Sequence, residues 1–170
     1  STTELGKYHS HSIFSRSPLF HEIVYQDSIE FVLSVNHFKS KSPRNAKGEN
    51  IDQNDGQAAF NAKRLHQAKE LLAIIDSLYS SINLIVLGDF NAYSEEDPIR
   101  KLQSQSLEKL STLKYSYVYK GMQGNLDHAF VSNSFRDSIK ETKVLDFNAS
   151  YPNWIDYRFD NSDSSYFRSS

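Results

Sequence analysis

The sequence predicts an α+β or layered α/β domain containing antiparallel strand pairs. Three observations predict it. Ile29, Phe31, Leu33 and Val35 recur with period two directly after another extended segment, the pattern of a half-buried hairpin partner. Gln57 to Tyr79 carries Phe60, Leu65, Ala68, Leu72, Ile75 and Tyr79 at spacings of three to five, which is the rhythm of one helix face. Ile82 to Leu87 is almost wholly apolar and runs into Gly88, as a buried central strand does. With 38% hydrophobic and 13% aromatic residues, 170 residues are enough for one domain with its own core.

In chain order, Leu19 to Tyr25 reads as the first strand, with a turn near Gln26 to Ser28 and the alternating segment to Val35 as its partner. Lys39 to Gly56 is polar, lacks apolar periodicity and is punctuated by Pro43, Gly48 and Gly56. It is expected to be a long loop, and long loops in compact domains tend to be functional. The helix from Gln57 and the buried strand follow. Asp97-Pro98 reads as an N-cap and first-turn pair opening a short helix towards Gln105. Tyr115 to Tyr119, Leu126 to Val131 and Lys143 to Phe147 are further strand candidates, with Gly121 and Gly124 in the first connection. No repeat is present, and beyond Asn148 the periodicity ends.

Composition excludes several classes. The formal net charge of −2 leaves no global positive field, so a nucleic-acid partner needs a local basic patch or a metal. Cysteine is absent, which removes disulfides, thiolate zinc sites and a cysteine nucleophile. Apolar runs such as Leu84 to Leu87 are too short to cross a bilayer, so no membrane partner is expected. Ser1 to Gly6 does not read as a signal peptide, and without an initiator Met the chain is expected to derive from something longer.

Three motifs can carry chemistry. In Gly88-Asp89-Phe90-Asn91 a carboxylate and an amide lie two residues apart where a strand ends. Asp89 can hold a hard cation or an attacking water and Asn91 can donate to a phosphoryl oxygen; the competing reading is an Asx-turn serving only the backbone. In Asn36-His37-Phe38-Lys39-Ser40-Lys41, His37 can protonate or orient a phosphate oxygen. Lys39, Lys41, Arg44 and Lys47 concentrate positive charge with no acid between them, a phosphate-binding patch or else a solvated loop. In Leu126-Asp127-His128-Ala129-Phe130, a buried Asp127 needs a partner, whereas alternation places His128 with Leu126 and Phe130 and marks it as packed. Asp52 to Gly56 fails the register of a calcium loop and reads as a turn. Asn61 and Arg64 share one helix face and can reach one ligand, while Glu95 and Glu96 suit the dipole of the next helix.

In this order the motifs resemble the endonuclease/exonuclease/phosphatase superfamily, the deoxyribonuclease I-like fold, and most of all bacterial extracellular nucleases. The resemblance rests on Val35 to Lys41, Asp55-Gly56-Gln57 with Phe60-Asn61-Ala62 and Arg64, Leu87 to Tyr93 with Glu96 to Ile99, and Tyr115 to Val118 ahead of Leu126 to Ala129. It implies a partial four-layer α/β sandwich and metal-dependent hydrolysis of phosphodiesters with Mg²⁺ or Mn²⁺, sometimes supported by Ca²⁺. It further implies a secreted, non-specific nuclease acting on DNA, with RNA as a second substrate. Asp89 and Asn91 would position water, metal and scissile phosphate, His37 would bind that phosphate or act as acid, and Asp127 would orient a histidine. Asn36, Lys39, Lys41, Arg44, Asn61 and Arg64 would form the phosphate-binding set.

Two family elements are not matched: the metal-binding Glu of an early strand, and the Asp-His that closes the domain after a stretch resembling Tyr166 to Ser170. Residues 1–170 are therefore expected to be one incomplete domain, inactive or nearly so alone, and prone to self-association through exposed sheet surfaces. The same cleft would also suit a phosphatase or a sphingomyelinase-type enzyme. A non-catalytic module binding phosphate or a partner is the alternative of another class.

Overall fold

A computed structural model describes residues 13–104, 106–111, 115–119 and 121–143. Strands β1 (Leu19–Tyr25) and β2 (Ser28–His37) form the expected hairpin, with Gln26 and Asp27 at the turn in left-handed backbone. Helix α1 (Asn61–Leu78) then carries the chain to β3 (Leu84–Asp89), which pairs parallel with β2. After helix α2 (Asp97–Gln103) come β4 (Leu107–Lys109), a small hairpin of β5 (Tyr117–Tyr119) and β6 (Met122–Gly124), and β7 (Asp127–Ser132). The main sheet runs β1-β2-β3-β7-β4, with one parallel and three antiparallel pairings. This is a mixed sheet flanked by helices, in keeping with the deoxyribonuclease I-like fold.

Alternation divides the sheet into two unlike faces. Val32, Leu84, Val86 and Phe130 pack against Ala68, Leu71, Leu72 and Ile75 of α1 and Ile99 and Leu102 of α2. All ten are at most 3% exposed, and burial of this kind contributes roughly 1.5–3 kcal/mol per large side chain. On the opposite face Val131 is buried, but Leu33, Ile85, Leu87 and Ala129 are only half-buried and Val35 is 38% exposed. The expectation of a fully buried β3 thus holds for one face alone. Its second face is apolar yet open among the described residues, which is why the run lacks the usual polar alternation.

Some boundaries differ from expectation. Helix α1 begins at Asn61 rather than Gln57 because Ala58 and Phe60 have φ of +61° and +62°, a left-handed backbone that no α-helix accommodates. The N-cap of α2 is Glu96, which places Asp97 and Pro98 inside the first turn. Strands β4 and β6 are three residues each, too short for a period-two signal. The strand expected at Lys143 to Phe147 lies outside the described residues beyond Lys143.

Candidate active site

Strand register assembles the site. His37 is the cross-strand partner of Asp89, and Asp89 is the partner of Asp127. Neighbours in register point to the same side of a sheet, so the three side chains stand in a row across β2, β3 and β7 on the open face. His37 Nε2 lies 3.7 Å from Asp89 Oδ2. Asn91 adopts left-handed backbone, φ +48°, donates its N–H to Asp89 Oδ1 at 2.8 Å, and donates Nδ2 to the carbonyl of Phe38 at 3.2 Å. The Asx-turn is therefore present, and it aims the carboxylate by holding one oxygen while the other faces the imidazole.

Electrostatics follow the geometry. Burial holds the Asp89 carboxyl above its ordinary pKa, and the neighbouring Asp127 carboxylate pushes in the same direction, against the Asn91 N–H, His37 and Arg16. Two aligned carboxylates of this kind favour a cation between or beside them. Among the described residues no group of three or more His, Cys, Asp or Glu side chains is placed to hold a metal. The donor set nevertheless fits a hard divalent ion, because Mg²⁺ is usually held by one or two carboxylates, with waters and substrate phosphate completing its shell.

Arg16 is a site residue that the sequence reading missed. Its Nη1 lies 2.7 Å from Nδ1 and 2.6 Å from Nε2 of His37, so a guanidinium from the segment before β1 stands against the imidazole. An arginine in an irregular segment carries no periodicity that could have singled it out.

Several expected phosphate ligands are engaged with protein partners. Arg64 is fully buried, and its guanidinium donates to the carbonyls of Ala59 at 2.7 Å, Gln57 at 2.6 Å and Lys39 at 3.4 Å. It braces the left-handed stretch at Ala58 and Phe60, and at 0% exposure its guanidinium is turned to these carbonyls rather than to the surface. Asn36 is 4% exposed on the helix-side face, with Nδ2 donating to Ser34 Oγ and the Leu87 carbonyl, so it faces away from His37. Asn61 donates to Asp97 Oδ2 at 3.1 Å and shares no ligand with Arg64. Lys41 pairs with the buried Glu96, the N-cap residue of α2, and lies over the Tyr93 ring. Lys39 lies over Phe60, its ammonium 4.4 Å from the ring centroid. Arg44 and Lys47 remain exposed.

His128 is buried as expected. Its Nε2 is 2.8 Å from the carbonyl oxygen of Ala92, and burial depresses its pKa to about 4. It packs with Phe90 and Phe130 beneath the row of site residues.

The sequence of residues 6–139 matches the model of the Endonuclease/Exonuclease/phosphatase family. The chain belongs to that family. Among curated proteins, none matches the chain. A β-hairpin deletion mutant of Staphylococcus aureus beta toxin is similar in fold, with a TM-score of 0.52 and 14% identity, over 79% of this chain and 50% of that one. A beta toxin variant solved with bound magnesium ions gives a TM-score of 0.52 at 12% identity, over 74% and 46%. The human Nocturnin catalytic domain with bound sulfate anion gives 0.46 at 21% identity, over 68% and 41%. The chain thus spans half or less of the length of these structures. Family members are hydrolases, both nucleases and phosphatases.

Proposed function

We propose that the protein hydrolyses phosphodiesters with a divalent cation, Mg²⁺ or Mn²⁺ with Ca²⁺ in support, and that its substrate is DNA, with RNA second, in the manner of a secreted nuclease. The observation that carries this reading is the row of His37, Asp89 and Asp127, three side chains brought from three strands to one end of one sheet face. Asp89, aimed by Asn91, and Asp127 would hold the cation, which supplies neutralisation of charge developing on the phosphate. His37 would hold the scissile phosphate or pass a proton to it, and the Arg16 guanidinium beside it would bind a phosphate oxygen. The exposed Arg44 and Lys47 would meet flanking phosphates. Self-association through the open apolar face is a further expectation, which light scattering of the purified protein tests: a monomer at high concentration contradicts it.

One observation favours a second reading, a phosphatase or sphingomyelinase-type phosphoesterase. Lys41 and Arg64 are committed to protein partners, which shrinks the polyanion footprint of the basic loop. Plasmid nicking with Mg²⁺ by the full-length gene product, beside its Asp89→Ala variant and an EDTA control, tests the first reading. Cleavage that vanishes in both controls supports it. Intact plasmid with hydrolysis of a small phosphate ester moves the assignment to the second, and inactivity on both to a non-catalytic binding module.

A further inference from the structure

Lys109 has no direct ion-pair partner among the described residues. It is half-buried at the end of β4, and among the described residues no carboxylate lies within 4.0 Å of its ammonium. Its contact is the hydroxyl of Ser94, at 2.5 Å. Burial holds its pKa below the ordinary lysine value, with only Glu95 acting in opposition. Lys41, the other lysine of this region with a lowered pKa, is by contrast paired directly with Glu96. A half-desolvated ammonium without an ion-pair partner among the described residues is set up for an anion from outside.

The space in front of it suits one. Lys109 lines a pocket of about 190 Å³ together with Ser94, Ser111, Asn125, Asp127 and His128. The two serines offer hydroxyls. Asn125 accepts from the Ser116 N–H through Oδ1, which leaves its Nδ2 to donate. The charges facing the pocket separate by strand register. Lys109 is partnered with Phe130 and so shares the helix-side face with His128, whereas Asp127 is partnered with Asp89 on the opposite face. His128 is buried, with its Nε2 2.8 Å from the Ala92 carbonyl oxygen, so it is committed to the protein. The Asp127 carboxylate thus belongs to the candidate active site, and the positive charge belongs to the pocket. Asp127 is their common boundary.

We propose that this pocket is a second phosphate subsite, in which Lys109, Ser94, Ser111 and Asn125 hold a phosphate of the substrate adjacent to the one cleaved. The proposal rests on the phosphodiesterase reading and deepens it: the preferred substrate carries at least two phosphates. The supply of positive charge then comes from β4 as well as from the loop after β2.

The test uses the full-length gene product and a thymidine dinucleoside monophosphate, without and with a terminal phosphate at either end. The variants are Lys109→Met and, at the exposed mouth where folding is not at stake, Ser111→Asp. One terminal phosphate is expected to raise kcat/KM of the parent by about tenfold, and to give less than about twofold in either variant, with cleavage of the unphosphorylated dinucleotide unchanged. An equal gain in parent and variants, or no gain in the parent, overturns the subsite. If neither the dinucleotides nor plasmid DNA is cleaved, the phosphodiesterase reading fails separately. Inorganic phosphate titrated against ¹⁵N-lysine NMR then still reads the pocket: a Lys109 resonance that moves, and that is immobile in Ser111→Asp, supports it, and one that never moves overturns it.

Discussion

A Cβ on Gly88 would fall 2.0 Å from the carbonyl oxygen of Asn36, at a backbone φ of +145°. Glycine at this position lets β2 and β3 close to ladder distance one residue before His37 and Asp89 come into register. Both clash and backbone angle oppose any side chain there. Gly88→Ala is therefore expected to destabilise the protein by at least ~2 kcal/mol, and to part His37 from Asp89 even in molecules that fold. Urea unfolding checks the first effect; an unchanged midpoint would contradict it.

Arg64 distinguishes a strut from a ligand. Arg64→Met removes the donors to three carbonyls in a site closed to water, and is expected to cost about 2–4 kcal/mol of stability. The salt dependence of DNA binding should keep its slope, because no phosphate contact is lost, whereas Arg44→Ala should reduce that slope by about one counterion. A lower slope in Arg64→Met with intact stability would return Arg64 to the substrate.

His128 sets an acid limit. Its folded pKa of about 4 lies below the unfolded value of 6.5, so between these values the unfolded chain takes up the proton first. The stability this histidine contributes is fully present above pH 6.5 and is lost as pH falls through about 4. At about 1.4 kcal/mol per pH unit the loss amounts to about 3 kcal/mol. Unfolding free energies at pH 7, 5 and 4 should show that decline, and His128→Gln should flatten it. Equal slopes in both proteins would place the acid sensitivity elsewhere.

Asp89 carries the opposite sign. Its carboxyl pKa is raised on folding, chiefly by burial, so ionised Asp89 opposes folding and this penalty grows as pH rises through the folded pKa. Asp89→Asn keeps an acceptor for the Asn91 N–H and removes the charge facing Asp127. It is expected to raise the Tm at pH 7 while lowering kcat/KM by about 10²–10⁴. A variant that loses stability along with activity would mean that Asp89 serves mainly to hold the turn.

Much of the candidate site was legible because it depends on strand alternation. Leu33, Val35 and His37, or Asp127, Ala129 and Val131, declare a shared face within one segment. The reading failed for Arg64 and Lys41, whose charge suggested phosphate while their partners, Ala59, Gln57 and Glu96, are joined to them only by the folded loop. It failed for Lys109 because a three-residue strand leaves no periodic trace.

By itself the sequence determined the hairpin of β1 and β2, the apolar run of β3, the helix between them, and which residues alternate with which. These are properties of neighbours a few residues apart, set by backbone geometry and side-chain size. Only the tertiary structure decided that His37, Asp89 and Asp127 lie in register, that Arg64 is buried and that Lys109 has no ion pair among the described residues. Each of those outcomes is settled by which surfaces are buried against one another, and burial is a property of the packed sheet and helices rather than of any one segment.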